Sequence, residues 1–201
     1  MKPFRIDGVD GELTWENAPR AWEVGVRRLA IVSGDGEDWF IDPADRSSAK
    51  RNAPCAFFRP ISHDFVLSAN VKVDFQQKYD AGAIHVRVQD DLWAKLCFEY
   101  SSFVQPTIVS VVTRGTSDDC NSTVIDGDSV YLRVSKVGAT FAFHYSLDGA
   151  QWNLVRYFDL NAADTVRPGF SAQAPVGTSC SAWFSHITYA FRTIGDIRSG
   201  E

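Results

Sequence analysis

The chain has 201 residues, of which 45% are apolar, 22% charged and 13% aromatic, the composition of a folded protein with one substantial core rather than of a disordered segment. A formal net charge of −5, without any run of Lys or Arg, excludes a nucleic-acid footprint, so no nucleic-acid partner is expected. No stretch approaches the roughly 18 consecutive apolar residues of a membrane span, and the N-terminus lacks the apolar run of a signal sequence. No membrane partner is expected, and the chain reads as cytoplasmic, or as having lost its leader, and as a single domain over 1–201.

In chain order, strands are predicted near 12–15, 21–24 and 27–32, short apolar-alternating pieces between Gly, Pro and Asp breakers. Residues 37–48, EDWFIDPADRSS, read as a loop in which carboxylates surround Trp39 and Phe40. The indole either anchors that loop onto the core, the commoner use, or lines a binding site. Strands follow at 56–59 and 65–76; in the second, Phe65, Leu67, Ala69, Val71, Val73 and Phe75 alternate with polar residues.

Residues 79–100, YDAGAIHVRVQDDLWAKLCFEY, read as a β-hairpin. Ile84, Val86 and Val88 alternate with His85, Arg87 and Gln89, the period of a strand with two unlike faces. On the return strand, Leu96, Phe98 and Tyr100 are assigned to the core, and Trp93, Lys95, Cys97 and Glu99 to the other side. Paired residues share a face, so a three-residue loop that sets Gln89 opposite Trp93, Arg87 opposite Lys95, His85 opposite Cys97 and Ala83 opposite Glu99 keeps the polar groups together. A two-residue loop at Asp90-Asp91 would mix the faces.

Beyond the hairpin, 106–114 is a strand dense in β-branched residues, and 116–122, TSDDCNS, is read as a polar loop. Asp118 and Asp119 lack the oxygen-ligand rhythm of a calcium loop, and neither a metal nor a cofactor is called for. A second hairpin joins 130–137 to 140–146 around Gly138-Ala139, and Ser146-Leu147-Asp148-Gly149 is a tight turn. Strands at 152–158, 167–174 and 181–191, with a short helical turn near 161–165, complete the chain. Four widely spaced cysteines, Cys55, Cys97, Cys120 and Cys180, include no C-x-x-C pair and read as free thiols, although their even number would allow one disulfide. A dozen or so short strands separated by turn signals specify an all-β jelly-roll sandwich of two antiparallel sheets.

The hairpin's polar face is the candidate site. His85, Arg87, Trp93, Lys95 and Glu99 would form one patch, with Trp93 as a stacking platform and Arg87 and Lys95 as donors to a polar or anionic group. Arg133, His144 and Gln173 alternate with core residues on other strands and are expected beside it. The bland reading, a solvated sheet face, accounts for any one of these residues.

Several motifs resemble a known family, the concanavalin A-like proteins grouped as domain of unknown function 1349. They are W-x-N-x-P at 15–19, D-W-F at 38–40, D-F at 64–65, and Y-D-x-G-x-x-x-x-R-x-x-D-x-x-W-x-K-x-x-x-E at 79–99. T-x-G-x-S-D at 113–118, S-x-D-G-x-x-W at 146–152 and P-G-F-x-A-Q at 168–173 continue the series. The resemblance spans nearly the whole chain and implies a two-sheet jelly roll like that of legume lectins, laminarinases and the C-terminal domain of family 43 glycosidases. Cys97 stands where the family has glycine, and His63-Asp64 replaces Gly-Asp.

Three functions follow as expectations. The first is a non-catalytic binder of a carbohydrate or related polar or anionic metabolite. The second is a regulatory protein acting on a metabolic enzyme such as enolase, which the resemblance implies because the family includes a yeast protein named for that role. The third is a carbohydrate-active enzyme using Glu99 and His85. Sandwich glucanases carry E-x-D-x-x-E on one strand, and that string is absent here, so a carboxylate partner for Glu99 would have to come from Glu37, Asp38, Asp118 or Asp119.

Overall fold

The structure is a computed structural model that describes residues 1–161 and 166–201. Its strands are β1 (Thr14–Glu16), β2 (Ala21–Gly25), β3 (Arg28–Val32), β4 (Trp39–Phe40), β5 (Lys50–Arg51), β6 (Cys55–Phe57), β7 (Phe65–Val73), β8 (Ala81–Gln89), β9 (Leu92–Tyr100), β10 (Pro106–Arg114), β11 (Thr116–Val124), β12 (Ser129–Val137), β13 (Thr140–Ser146), β14 (Asn153–Asp159), β15 (Arg167–Gln173) and β16 (Ser181–Ala190). Fourteen of them form two seven-stranded sheets, and β4 and β5 pair with each other. Sheet A has the order β1-β6-β15-β8-β9-β10-β11 and sheet B the order β14-β13-β12-β7-β16-β3-β2, with every pairing antiparallel.

The core lies between the sheets. Ile84, Val86, Leu96, Phe98 and Phe170 of sheet A meet Leu67, Val71, Leu132, Phe143 and Phe184 of sheet B. This is the alternation of β7, β8, β9 and β12 turned into packing, as a strand with one apolar face requires. A second apolar cluster sits on the outer face of sheet A, where Trp39, Ile41 and Ala53 cover Phe57, Trp93, Cys97, Val109 and Val111. The central strands of sheet A are therefore buried on both faces.

Two expectations about local structure are corrected. The central hairpin turns through Asp90 and Asp91 alone, with Gln89 paired to Leu92, yet its faces do not mix, because the register shifts between Arg87 and Gln89. Val88 is the extra residue of a β-bulge, which adds the one position needed to restore parity. Arg87 consequently faces Trp93, His85 faces Lys95, Ala83 faces Cys97 and Ala81 faces Glu99. The polar stretch 116–122 is the edge strand β11, paired with β10 from Thr116 to Val124. Its charged side chains blunt an exposed sheet edge, which makes its composition resemble a loop. The helical turn expected near 161–165 lies, apart from Asn161, outside the described residues.

One glycine matters to the site. Gly169 pairs with both Phe57 and His85, and a Cβ there would lie 2.5 Å from the Ala56 carbonyl oxygen. Its missing side chain lets the Phe57 and His85 rings approach to 6.1 Å beneath Trp39.

Candidate functional site

The ladder of sheet A sets outward-facing side chains in rows across the strands. One row runs Asp119, Val111, Lys95, His85, Gly169 and Phe57; another, two rungs along, runs Thr107, Glu99, Ala81 and Gln173. The segment carrying β4 and β5 lies over the first row. Trp39 donates its indole N–H to the Ala53 carbonyl at 2.8 Å and packs against His85, Trp93 and Phe57, with ring centroids 5.7, 5.8 and 6.2 Å away. Ile41 is tied to β11 by paired bonds with Ser117, its own N–H donating to the hydroxyl and its carbonyl accepting from the Ser117 N–H.

At the border of this cover, Lys95 is sequestered. Its ammonium donates to Asp38 Oδ1 at 3.1 Å and to Gln173 Oε1 at 2.7 Å. Burial opposes its charge, but Asp38, Cys97 and Glu99 outweigh that opposition and hold its pKa above the ordinary lysine value. Gln173 is fixed in turn, donating from Nε2 to the Tyr79 carbonyl at 3.2 Å.

Glu99 lies one row beyond the cover. The residue is only 7% exposed, its carboxyl group accepts no hydrogen bond from the described residues, and the carboxyl oxygens still reach the surface. Burial pushes its pKa up to about 8; Lys95 pulls it down, while Asp119 and Asp38 add to the rise. Asp119, across β10 on the edge strand, is raised in the same direction, again chiefly by burial. Cys97, between Lys95 and Glu99 on β9, is fully buried, and burial pushes its thiol well up, so it carries no nucleophilic thiolate.

The structure brings His85, Arg87, Trp93, Lys95, Glu99 and Gln173 onto one face and separates them by accessibility. Trp93 is fully buried under Trp39 and offers no stacking surface. His85 is also fully buried, neither ring nitrogen has a hydrogen-bond partner among the described residues, and burial followed by Lys95 and Arg87 drives its pKa well down. His85 and Glu99 pair with residues four positions apart on the facing strands, a separation of about 13 Å at the usual rise. They do not form an acid/base pair. Arg87 is pinned at the rim, its Nη2 lying 3.1 Å from Glu16 Oε1 and bonded also to Asp90.

Arg133 and His144 are not part of this site. They pair with each other on β12 and β13 of sheet B, beyond the sandwich core. Arg133 stacks on Trp152 with its guanidinium carbon 4.1 Å from the ring centroid, and His144 Nε2 lies 3.1 Å from the Arg198 carbonyl. Burial lowers both pKa values, to about 10 for Arg133 and about 4 for His144.

Asp38, Asp119 and Tyr79 belong to the site and were not assigned to it from the sequence, although the two aspartates were weighed as loop carboxylates. Tyr79, at φ +70, donates its backbone N–H to the Tyr100 carbonyl, accepts from Gln173 Nε2 at its own carbonyl and is 39% exposed. Among the described residues, no three His, Cys, Asp or Glu side chains are grouped to hold a metal ion, and no helix is long and apolar enough to cross a membrane.

Comparison with known proteins follows this geometry. A functionally unknown protein from Saccharomyces cerevisiae is similar at a TM-score of 0.82 and 22% identity, over 90% of this chain and 97% of that one. The GH43 protein BlXynB of Bacillus licheniformis is similar at a TM-score of 0.71 and 16% identity, over 91% of this chain but 37% of that one. A legume lectin-like domain from Entamoeba histolytica is similar at a TM-score of 0.58 and 12% identity, over 89% and 90% of the two chains. No curated protein matches the sequence. These likenesses establish a lectin-like β-sandwich, and because the family described as Protein of unknown function (DUF1349) matches residues 15–191, the chain belongs to that family.

Proposed function

We propose that the chain is a non-catalytic binding protein for a neutral, hydroxyl-rich ligand such as a carbohydrate, held at the uncovered end of the outer face of sheet A. The carrying observation is Glu99, a nearly buried carboxyl with surface-reaching oxygens and no protein hydrogen-bond partner among the described residues, beside a fixed ammonium. Carboxyl groups outnumber cations in this cluster: Asp38 and Asp119 lie about Lys95, and Glu99, holding its proton at neutral pH, adds a neutral donor and acceptor. That balance disfavours an anionic ligand and suits hydroxyl groups, which can both donate to and accept from a carboxyl. Tyr79, rather than Trp93, is the exposed ring against which a sugar face would stack. The carbohydrate-related neighbours share the fold, and their activities remain theirs.

Calorimetric titration with a panel of mono- and oligosaccharides tests this reading. For a sugar that binds, Glu99→Ala and Tyr79→Ala are each expected to weaken affinity by about tenfold, the loss typical of a hydrogen bond to a carboxyl or of one stacking contact. Glu99→Gln, which keeps the shape of a protonated carboxyl, should retain binding at neutral pH. Affinity untouched by both alanine variants would overturn the assignment, and a silent panel would favour the partner-enzyme reading.

A further inference from the structure

The outer face of sheet A carries a second concavity at its opposite margin, about 550 Å³ in volume, beside β1 and β6. Its lining includes Arg5, Arg59 and Arg167, with Glu12, Thr14 and Phe57. Three guanidinium groups against Glu12 and Glu16, the ion-pair partner of Arg167, leave a local surplus of one positive charge on a chain whose formal net charge is −5. A surplus of that size in so small a volume lies within one Debye length, about 8 Å at physiological salt, so the charges act on a bound group together.

The three arginines differ in how they are held. Arg167 is preorganised: its guanidinium carbon lies 5.2 Å from the Phe57 ring centroid, and Nη2 is 3.2 Å from Glu16 Oε2. Stacking on an aromatic face leaves the remaining donors of the planar fork directed along its edge. Arg5 reaches Glu12 only at 3.4 Å, in a pair that is 72% and 54% exposed, which contributes little to stability and yields readily to a competing anion. Arg59 forms no ion pair among the described residues.

We infer that this arginine-lined groove is a binding site for a small anion of two or more charges, with phosphate or carboxylate oxygens received by Arg5, Arg59 and Arg167. The fixed Arg167 sets the geometry, and the two mobile-ended arginines close on the remaining oxygens, as guanidinium forks do with planar or tetrahedral oxyanions. The inference does not rest on the Glu99 cleft, whose charge has the opposite sign and which lies across the cover of Trp39.

Calorimetric titration of the full chain at low salt with inorganic pyrophosphate and with digalacturonate tests the inference for phosphate and carboxylate anions separately. At least one is expected to bind, with affinity falling about tenfold in Arg59→Gln and further in the Arg5→Gln/Arg59→Gln double variant. Arg28→Gln, which removes the same charge from β3 of sheet B, should leave binding unchanged. Arg5 and Arg59 are exposed, so unaltered melting temperatures are expected to accompany the losses. No binding of either anion, or binding equally reduced by Arg28→Gln, would overturn the site.

Discussion

Glu99 and His85 sit on one face, and burial moves their pKa values in opposite directions. For Glu99, the native pKa of about 8 exceeds the unfolded value of about 4.3, so the native state holds the proton more tightly. Its contribution to stability is fully present below about pH 4 and is lost as pH rises toward 8. Glu99→Gln should therefore match the parent melting temperature near pH 4 and exceed it at pH 8 to 9, as scanning calorimetry would show; equal curves throughout would refute a buried, proton-holding carboxyl. For His85 the native pKa lies well below the unfolded value of about 6.5, so its contribution is present above that pH and is lost as the solution is acidified. His85→Leu removes both unpartnered nitrogens and should flatten the fall of the melting temperature between about pH 6.5 and 5.

Much of the site was legible at the residue scale. The alternation through 84–99 correctly placed His85, Arg87, Trp93, Lys95 and Glu99 on a common face, because the two-residue period is a local property of the backbone. Their accessibility was not legible. It depends on Trp39, which is 54 residues from Trp93 in sequence and 5.8 Å from it in space. The sequence offered both uses for that indole, and the anchoring one holds.

Among the elements, the β8–β9 hairpin shows how a correct partition of faces can coexist with a wrong register. Parity fixed the faces, but it did not distinguish a longer loop from a bulge, since each inserts one residue between the two apolar sets. Deleting Val88 is expected to remove the bulge and force either a wider turn or an exchange of faces, lowering the melting temperature by far more than Val88→Ala; equal effects would show that the bulge has no role in register. The cover formed around β4 and β5 is the element that sequence periodicity could not reveal, because two-residue strands carry no period. Trp39→Ala should cost about 3–5 kcal/mol, the usual range for emptying a buried Trp site, and should shift the fluorescence of Trp93 to longer wavelength as water reaches it. A chemically stable variant with unshifted emission would show that the floor beneath Trp39 stays closed by other means.

For the whole molecule, sheets A and B present the same sequence signal to different ends. Arg133 and His144 alternate with core residues as faithfully as Lys95 and Glu99 do, and alternation alone does not say to which sheet a strand belongs. That assignment is made by the order of strands, in which β12 joins β7 and β13 while β15 joins β6 and β8. Gln173 on β15 thus reaches Lys95, whereas Arg133 and His144 face away across the sandwich.

The same architecture sorts the thiols. Cys55, Cys97 and Cys180 are buried and Cys120 is exposed on β11, with all four free. Titration of the native protein with a thiol-reactive chromophore should modify one group quickly and the other three only on unfolding. Fast modification of all four would mean that sheet A opens readily. Because Cys120 pairs with Ser110, which lies in the inward row with Leu96, a fluorophore attached there would sit at the sheet edge on the face opposite Asp119 and the Glu99 cleft, leaving that cleft uncrowded. The parent chain therefore carries its own single attachment point for a label or surface tether clear of the cleft, with no cysteine to add and none to remove.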